Sequence, residues 1–200
     1  DYQRRFVPLA PFVSALRERI AGSSHQPSSQ LIHGGFEVEK QLALAREVAP
    51  FLGVDFQRVF LDQSAQGFTL CVHPGYTVMA VSSVPDNISR VLRSTHHESG
   101  HVVLHSELAE LLQWFGNVLG AMSYVLDESQ ALFFDEMIGT SLPWCEFVLP
   151  KLKHHFPDHF SRASAVELYG ALNAVCPNLI PNQADILSKV SRLLIQFDIE

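Results

Sequence analysis

Apolar residues recur at helical spacing along most of the chain. Phe6, Leu9, Phe12, Val13, Leu16 and Ile20 share one stripe of a helix over residues 2–20, and Pro8 and Pro11 predict a break near its start. Residues 21–29, rich in Gly, Ser and Pro, read as loop. Residues 38–52 form a strong helical pattern that ends near Pro50 and Gly53. Two β-rich runs follow, residues 68–73 and 77–82, and Pro74-Gly75-Tyr76 between them predicts a tight antiparallel hairpin. Pro85-Asp86-Asn87 then precedes a helix through Ile88, Val91 and Leu92. A second helical stretch is expected to open at Glu128 and run to about Met137, with Leu142-Pro143 as its break. Residues 148–156, 163–174 and 184–197 read as further helices. The expected class is mainly α with a small antiparallel β-sheet.

The helix after Ile88 carries the chemistry. His97-Glu98-Ser99-Gly100-His101 is a HExxH pattern, and histidines four apart stand one turn apart on one helix face. Their imidazoles can share one Zn²⁺ at about 2.0–2.1 Å, with Glu98 between them in reach of water as general base. A catalytic zinc takes three protein ligands, and the third must come from another element. Glu128, in Leu126-Asp127-Glu128-Ser129-Gln130, is the best candidate, on a helix antiparallel to the first. Its bland alternative is a helix-N-terminal acid favoured by the macrodipole. Asp127 or Asp135 could hydrogen-bond a ligating imidazole from behind. Glu107 and Glu110 compete as ligands but suit a solvated helix face better. His96 points about 100° away from His97. His105 extends the His97–His101 stripe, where supporting a ligand or lying at the surface fits it better than ligation. His154, His155 and His159 read as a surface cluster, and Trp114, Phe115, Phe133 and Phe134 as core aromatics.

At these residues the chain resembles the carboxypeptidase Taq family of zinc metallocarboxypeptidases. Ile32-His33-Gly34-Gly35-Phe36, Glu39-Lys40-Gln41 and Leu44-Ala45-Arg46-Glu47 are similar to the segment before its catalytic half. Leu61-Asp62-Gln63-Ser64-Ala65 is similar to the run into its first signature. Ser94-Thr95-His96-His97-Glu98-Ser99-Gly100-His101 resembles its zinc helix, and Asp127-Glu128-Ser129-Gln130 its His-Glu-Ser-Gln block. Gly139-Thr140-Ser141, Pro143-Trp144, Pro150-Lys151-Leu152, Asn173-Ala174-Val175, Pro177-Asn178-Leu179-Ile180 and Ala184-Asp185 also fit. The resemblance spans nearly all 200 residues, in the family's order. It implies a zincin-like helical metallopeptidase with a small sheet beside the HExxH helix. It implies Zn²⁺ held by His97, His101 and Glu128, Glu98 as the catalytic base, and peptide as substrate. It also allows a homodimer. By the same resemblance, residues 1–200 are the central part of a single catalytic domain, truncated at both ends.

The departures from the family concern substrate recognition. Gln66-Gly67-Phe68-Thr69 stands for its His-Pro-Phe-Thr, and Tyr76-Thr77-Val78-Met79-Ala80 for its Asp-x-Arg-x-Thr. Asp127 replaces the His of the His-Glu-Ser-Gln block, and Gln196 stands in a later Arg place. A guanidinium fork is the usual partner of a terminal carboxylate, and neither Val78 nor Gln196 supplies one. Two readings follow. One is a zinc metallocarboxypeptidase with an altered carboxylate-recognising surface. The other is a non-catalytic zinc-binding scaffold relative. Intact Glu98 favours the first.

Composition narrows the partners. Hydrophobic residues make up 47% and charged residues 18%, enough for a sizeable core. A net charge of −7 with no basic stripe argues against nucleic acid. No apolar run approaches the roughly 20 residues that cross a bilayer, so no membrane partner is expected. Cys71, Cys145 and Cys176 show neither CxxC spacing nor a disulfide framework, which suits core packing in a reducing, cytoplasmic compartment.

Overall fold

The computed structural model describes residues 2–73, 75–175 and 184–199, with side chains outside residues 2–3, 108–123 and 196–199. Two helices open the chain, α1 (Tyr2–Phe6) and α2 (Leu9–Ala21), separated at Val7-Pro8 as the prolines require. Helix α3 (Val38–Val48) buries Leu44, Ala45 and Val48 on one face and points Glu39 and Lys40 outward. It tightens into a 3₁₀ turn, Ala49–Leu52, which Gly53 ends at φ 96°, a conformation that suits glycine.

Three strands follow: β1 (Val59–Ser64), β2 (Phe68–His73) and β3 (Tyr76–Ser82). The hairpin β2–β3 forms with Phe68 opposite Ala80 and Thr69 opposite Met79. The sheet is mixed rather than purely antiparallel, because β1 adds to the other side of β3 in parallel, Leu61 opposite Met79. Strand β3 takes the centre because its sequence is the most apolar; Met79, Ala80 and Val81 are buried. Strand β1 escapes the sequence pattern because only Val59 and Leu61 alternate inward before Asp62-Gln63-Ser64.

Helix α4 (Ser89–Leu132) carries both metal-site segments. His101 and Asp127 are 26 residues apart on it yet 2.6 Å from one another. A straight helix would separate them by about 39 Å. The element therefore doubles back between residues 107 and 124, and its two limbs lie side by side. Glu128 sits near the end of the returning limb, not at the opening of a second helix. A π-helical turn follows, Phe133–Ile138, closed by the N–H of Gly139 donating to the carbonyl of Phe134 at 2.9 Å.

Helix α5 (Leu142–His155) starts with Ser141 as N-cap and Pro143 in its first turn, so it begins before the expected residue 148. Short α6 (Pro157–Phe160) and α7 (Ala165–Leu172) follow, the latter opened by a capping box between Ser164 and Glu167. Helix α8 (Ile186–Ile199) packs on α2. The core gathers Leu44 and Val48 from α3, Leu61, Met79 and Val81 from the sheet, Ile88, Val91 and Leu92 from α4, and Val148 and Leu152 from α5. Each such side chain contributes about 1.5–3 kcal/mol on burial.

Two core expectations change. Cys71 is exposed on β2, while Cys145 is buried and its thiol is pushed up to about 11 by burial. Phe133 is exposed, while Phe134 packs against the core. His154 and His159 are exposed and His155 is half-buried, as a surface cluster requires; His159 lies against the Phe36 ring, His155 pairs with Glu47 at 3.0 Å, and the His154 and His155 rings meet edge-on. Trp114, Phe115, Glu110 and Gln196 fall where side chains are not described, and Cys176 and residues 177–180 lie outside the described residues.

Candidate metal centre

The inner limb of α4 packs on the sheet through three polar ties. The Ser82 N–H donates to Ser94 Oγ at 2.9 Å, Arg90 Nε donates to Ser82 Oγ at 3.1 Å, and Ser82 Oγ donates to the Ala65 carbonyl at 2.9 Å. These ties fix the loop before β2 over residues 94–98. Thr69 faces α4 because it pairs with Met79, which points into the core. Its hydroxyl donates to Glu98 Oε2 at 2.8 Å. Gly67 leaves room for the carboxylate: a Cβ there would overlap Glu98 Oε1 and stand 2.5 Å from Ser94 Oγ.

The two limbs of α4 touch at backbone distance. A Cβ on Gly100 would lie 2.7 Å from Ala131 Cα, and Gln130 Nε2 donates to the Gly100 carbonyl at 3.1 Å. This close approach brings Glu128 to the histidine pair. His97 Nε2 and His101 Nε2 are 3.2 Å apart, with Glu128 oxygens at 3.8 Å from His97 Nε2 and 4.0 Å from His101 Nε2. Donors about 2.05 Å from a tetrahedral zinc stand roughly 3.3–3.4 Å from one another. The two imidazole nitrogens and the Glu128 carboxylate therefore surround a volume of the right size, and two imidazoles with one carboxylate are a donor set that suits zinc. Burial, then the neighbouring His101, holds His97 down at about 4, leaving its nitrogen neutral and able to ligate.

Glu98 is nearly fully buried. Burial pushes its carboxyl up to about 7, against the opposing hydrogen bond from Thr69. A dication beside it would pull that value back down. His96 turns the other way, into the core, with its ring edge on Trp144 and Nδ1 at 2.6 Å from the Leu92 carbonyl. Glu107 is exposed.

Asp127, not Asp135, stands behind a ligand candidate. Its Oδ1 is 2.6 Å from His101 Nδ1, and its Oδ2 is 3.0 Å from His105 Nε2. Asp135 instead joins Glu136, Arg93 and Lys189 in a buried ion-pair network. Arg93 lies 3.1 Å from Asp135 and also meets Glu136, and Lys189 of α8 reaches Glu136. The π turn makes this possible by letting successive residues 135 and 136 both face Arg93. Burial pushes Asp135 up, while Glu136 is held low because Arg93 and Lys189 outweigh its own burial. Sequence reasoning placed Gly67 and Thr69 in a block concerned with substrate recognition and missed their contact with Glu98, and it missed this network. The alternation of β2 could have pointed to Thr69, but nothing in the local pattern foretells the π turn.

A family model described as Carboxypeptidase Taq (M32) metallopeptidase matches residues 3–200. The chain belongs to the carboxypeptidase Taq (M32) metallopeptidase family. It is 28% identical over 196 residues to thermostable carboxypeptidase 1 of Thermus thermophilus, covering 98% of this chain and 38% of that one. Carboxypeptidase 1 of Bacillus subtilis is 25% identical over 195 residues, 98% of this chain and 39% of that one. The fold is that of M32 carboxypeptidases. The Deinococcus radiodurans M32 carboxypeptidase crystal structure superposes with a TM-score of 0.83 at 20% identity, covering 97% of this chain and 39% of that one. A Pyrococcus furiosus carboxypeptidase structure gives 0.80 at 24% identity, with 94% of this chain and 38% of that one covered. The chain thus spans about two fifths of the length of the M32 relatives it matches. Among the described residues, no helix is long and apolar enough to cross a membrane.

Proposed function

We propose that this chain is the metal-binding core of a zinc-dependent metallocarboxypeptidase, the central part of one catalytic domain. His97, His101 and Glu128 hold one zinc, and Glu98 is the general base. The observation that supports this reading is the convergence of three donor atoms from two limbs of α4 beside the buried Glu98 carboxylate. A zinc ion held there supplies a Lewis acid that acidifies water and polarises a carbonyl. Glu98 takes the proton of the attacking water on the oxygen that Thr69 leaves free. The new C–O bond forms, the peptide C–N bond breaks, and Glu98 returns that proton to the leaving amine. Thr69 and the space over Gly67 keep the Glu98 carboxylate in one place through both transfers.

The test is metal content and peptide hydrolysis in the full-length protein. Elemental analysis is expected to give about one zinc per chain, the count of a single three-ligand site. His97→Ala strips the metal. Glu98→Gln keeps it and lowers turnover by roughly 10²–10⁴-fold. Full zinc retention in His97→Ala, or unchanged turnover in Glu98→Gln, overturns the reading.

A non-catalytic zinc-binding scaffold is the second reading, and one observation favours it. Val78 sits half-buried on β3 between Phe60 and Leu70, with no charge to offer a terminal carboxylate. The cations felt by His97, Arg93 and Lys189, are already engaged by Asp135 and Glu136. Matched peptides with free and amidated C-termini separate the cases. A loss of roughly 100-fold in kcat/KM on amidation, about 2.7 kcal/mol, marks ordinary carboxypeptidase action. Hydrolysis of neither, with zinc bound, marks the scaffold.

A further inference from the structure

The returning limb of α4 places one carboxylate between two histidines of the outgoing limb. Asp127 Oδ1 meets His101 Nδ1 at 2.6 Å, and Asp127 Oδ2 meets His105 Nε2 at 3.0 Å. Residues 101 and 105 are one turn apart, so a single carboxylate can bridge their rings. We propose that Asp127 and His105 are positioning residues for the metal centre, a relay in which His105 holds Asp127 and Asp127 holds His101. This rests on the zinc assignment above and extends it to two residues outside the ligand set.

The proton positions follow by elimination. An ionised carboxylate only accepts, so both ring nitrogens facing Asp127 donate. His101 then carries its proton on Nδ1, and its Nε2 presents a lone pair towards His97 Nε2 and Glu128. His105 carries its proton on Nε2, and its buried Nδ1, which has no hydrogen-bond partner among the described residues, is left as a bare acceptor. A protonated Nδ1 there would be an unpaired buried donor, the costlier arrangement. Asp127 is tied at both oxygens, so it cannot swing away from His101. The His101 ring is thereby fixed in the tautomer and rotation that a metal at Nε2 requires. The same arrangement argues against a second ion among His101, His105 and Asp127, since the atoms facing each other are already paired as donor and acceptor.

The test is zinc affinity measured by chelator competition, with the melting temperature of the metal-stripped protein alongside. Asp127→Asn is expected to weaken zinc binding by about 10–100-fold, the range for a lost partner of a ligating histidine. His105→Ala is expected to weaken it by roughly tenfold in the parent and not at all in Asp127→Asn, because it acts only through that carboxylate. His105→Gln, whose side-chain amide can still donate to Asp127, restores affinity. A purely structural role for His105 would lower the melting temperature of the stripped protein and leave affinity unchanged, and that result overturns the proposal. So does full additivity of the two substitutions. Failure of the zinc assignment itself reads out separately, as zinc retained in His97→Ala.

Discussion

Gly100 is the position at which one methyl group tests the whole arrangement. In the interior of a helix, Gly→Ala is expected to stabilise by about 0.8–1 kcal/mol from propensity alone. Here the added Cβ would stand 2.7 Å from Ala131 Cα, 3.1 Å from Ala131 N and 3.2 Å from the Gln130 carbonyl oxygen. All three are backbone atoms, so no rotamer change relieves the overlap. Ordinary carbon contacts lie at about 3.5–4.0 Å, so the limbs of α4 must separate by roughly 1 Å. Overpacking of this kind costs about 1–3 kcal/mol, which outweighs the propensity gain. Glu128 rides on the same limb as Ala131, three positions away, whereas metal–ligand distances tolerate only about ±0.2 Å. Gly100→Ala is therefore expected to destabilise the protein by up to about 2 kcal/mol in urea unfolding. It should also weaken zinc binding by at least about tenfold, or about 1.4 kcal/mol. An alanine variant that is more stable than the parent and binds zinc equally well would refute the close-packed limbs as the origin of the site.

Other perturbations separate stability from chemistry. Gly67→Ala forces the Glu98 carboxylate and the Ser94 hydroxyl, both movable side-chain ends, out of their positions. Zinc content and melting temperature should stay near parental values while kcat falls about tenfold or more, as expected of a misplaced base, and an unchanged kcat refutes this. Arg93→Met leaves Asp135 and Glu136 buried with Lys189 alone, so denaturant unfolding should show a loss of about 3 kcal/mol; a neutral result would show the network to be dispensable. Glu47 is held below its ordinary 4.5, first by its hydrogen bond from Lys151, so its contribution is present above pH 4.5 and is lost as pH falls through the lower folded value. Glu47→Gln should then flatten the acid limb of the stability–pH curve, and an unaltered slope below pH 4.5 would count against that pairing.

The sequence alone determined whatever rests on local period and chemistry. The helical stripes of α2, α3 and α8 and the hairpin β2–β3 are legible because turn residues and alternation act over a few positions. The HExxH spacing likewise puts His97 and His101 on one helix face with no help from the rest of the chain. Tertiary structure decided the remainder. Strand β1 forms because β3 offers a parallel edge, although its own alternation covers only Val59 and Leu61. Glu128 reaches the histidines because Gly100 on the outgoing limb lets Ala131 of the returning limb approach it, a contact between residues far apart in sequence. Asp127 and Asp135 looked alike as acids near a helix. The π turn sends Asp135 to Arg93, and the packing of the limbs sends Asp127 to His101 and His105. Local propensity is written in neighbours, whereas the meeting of donors from two limbs depends on packing geometry that no single window of the sequence contains.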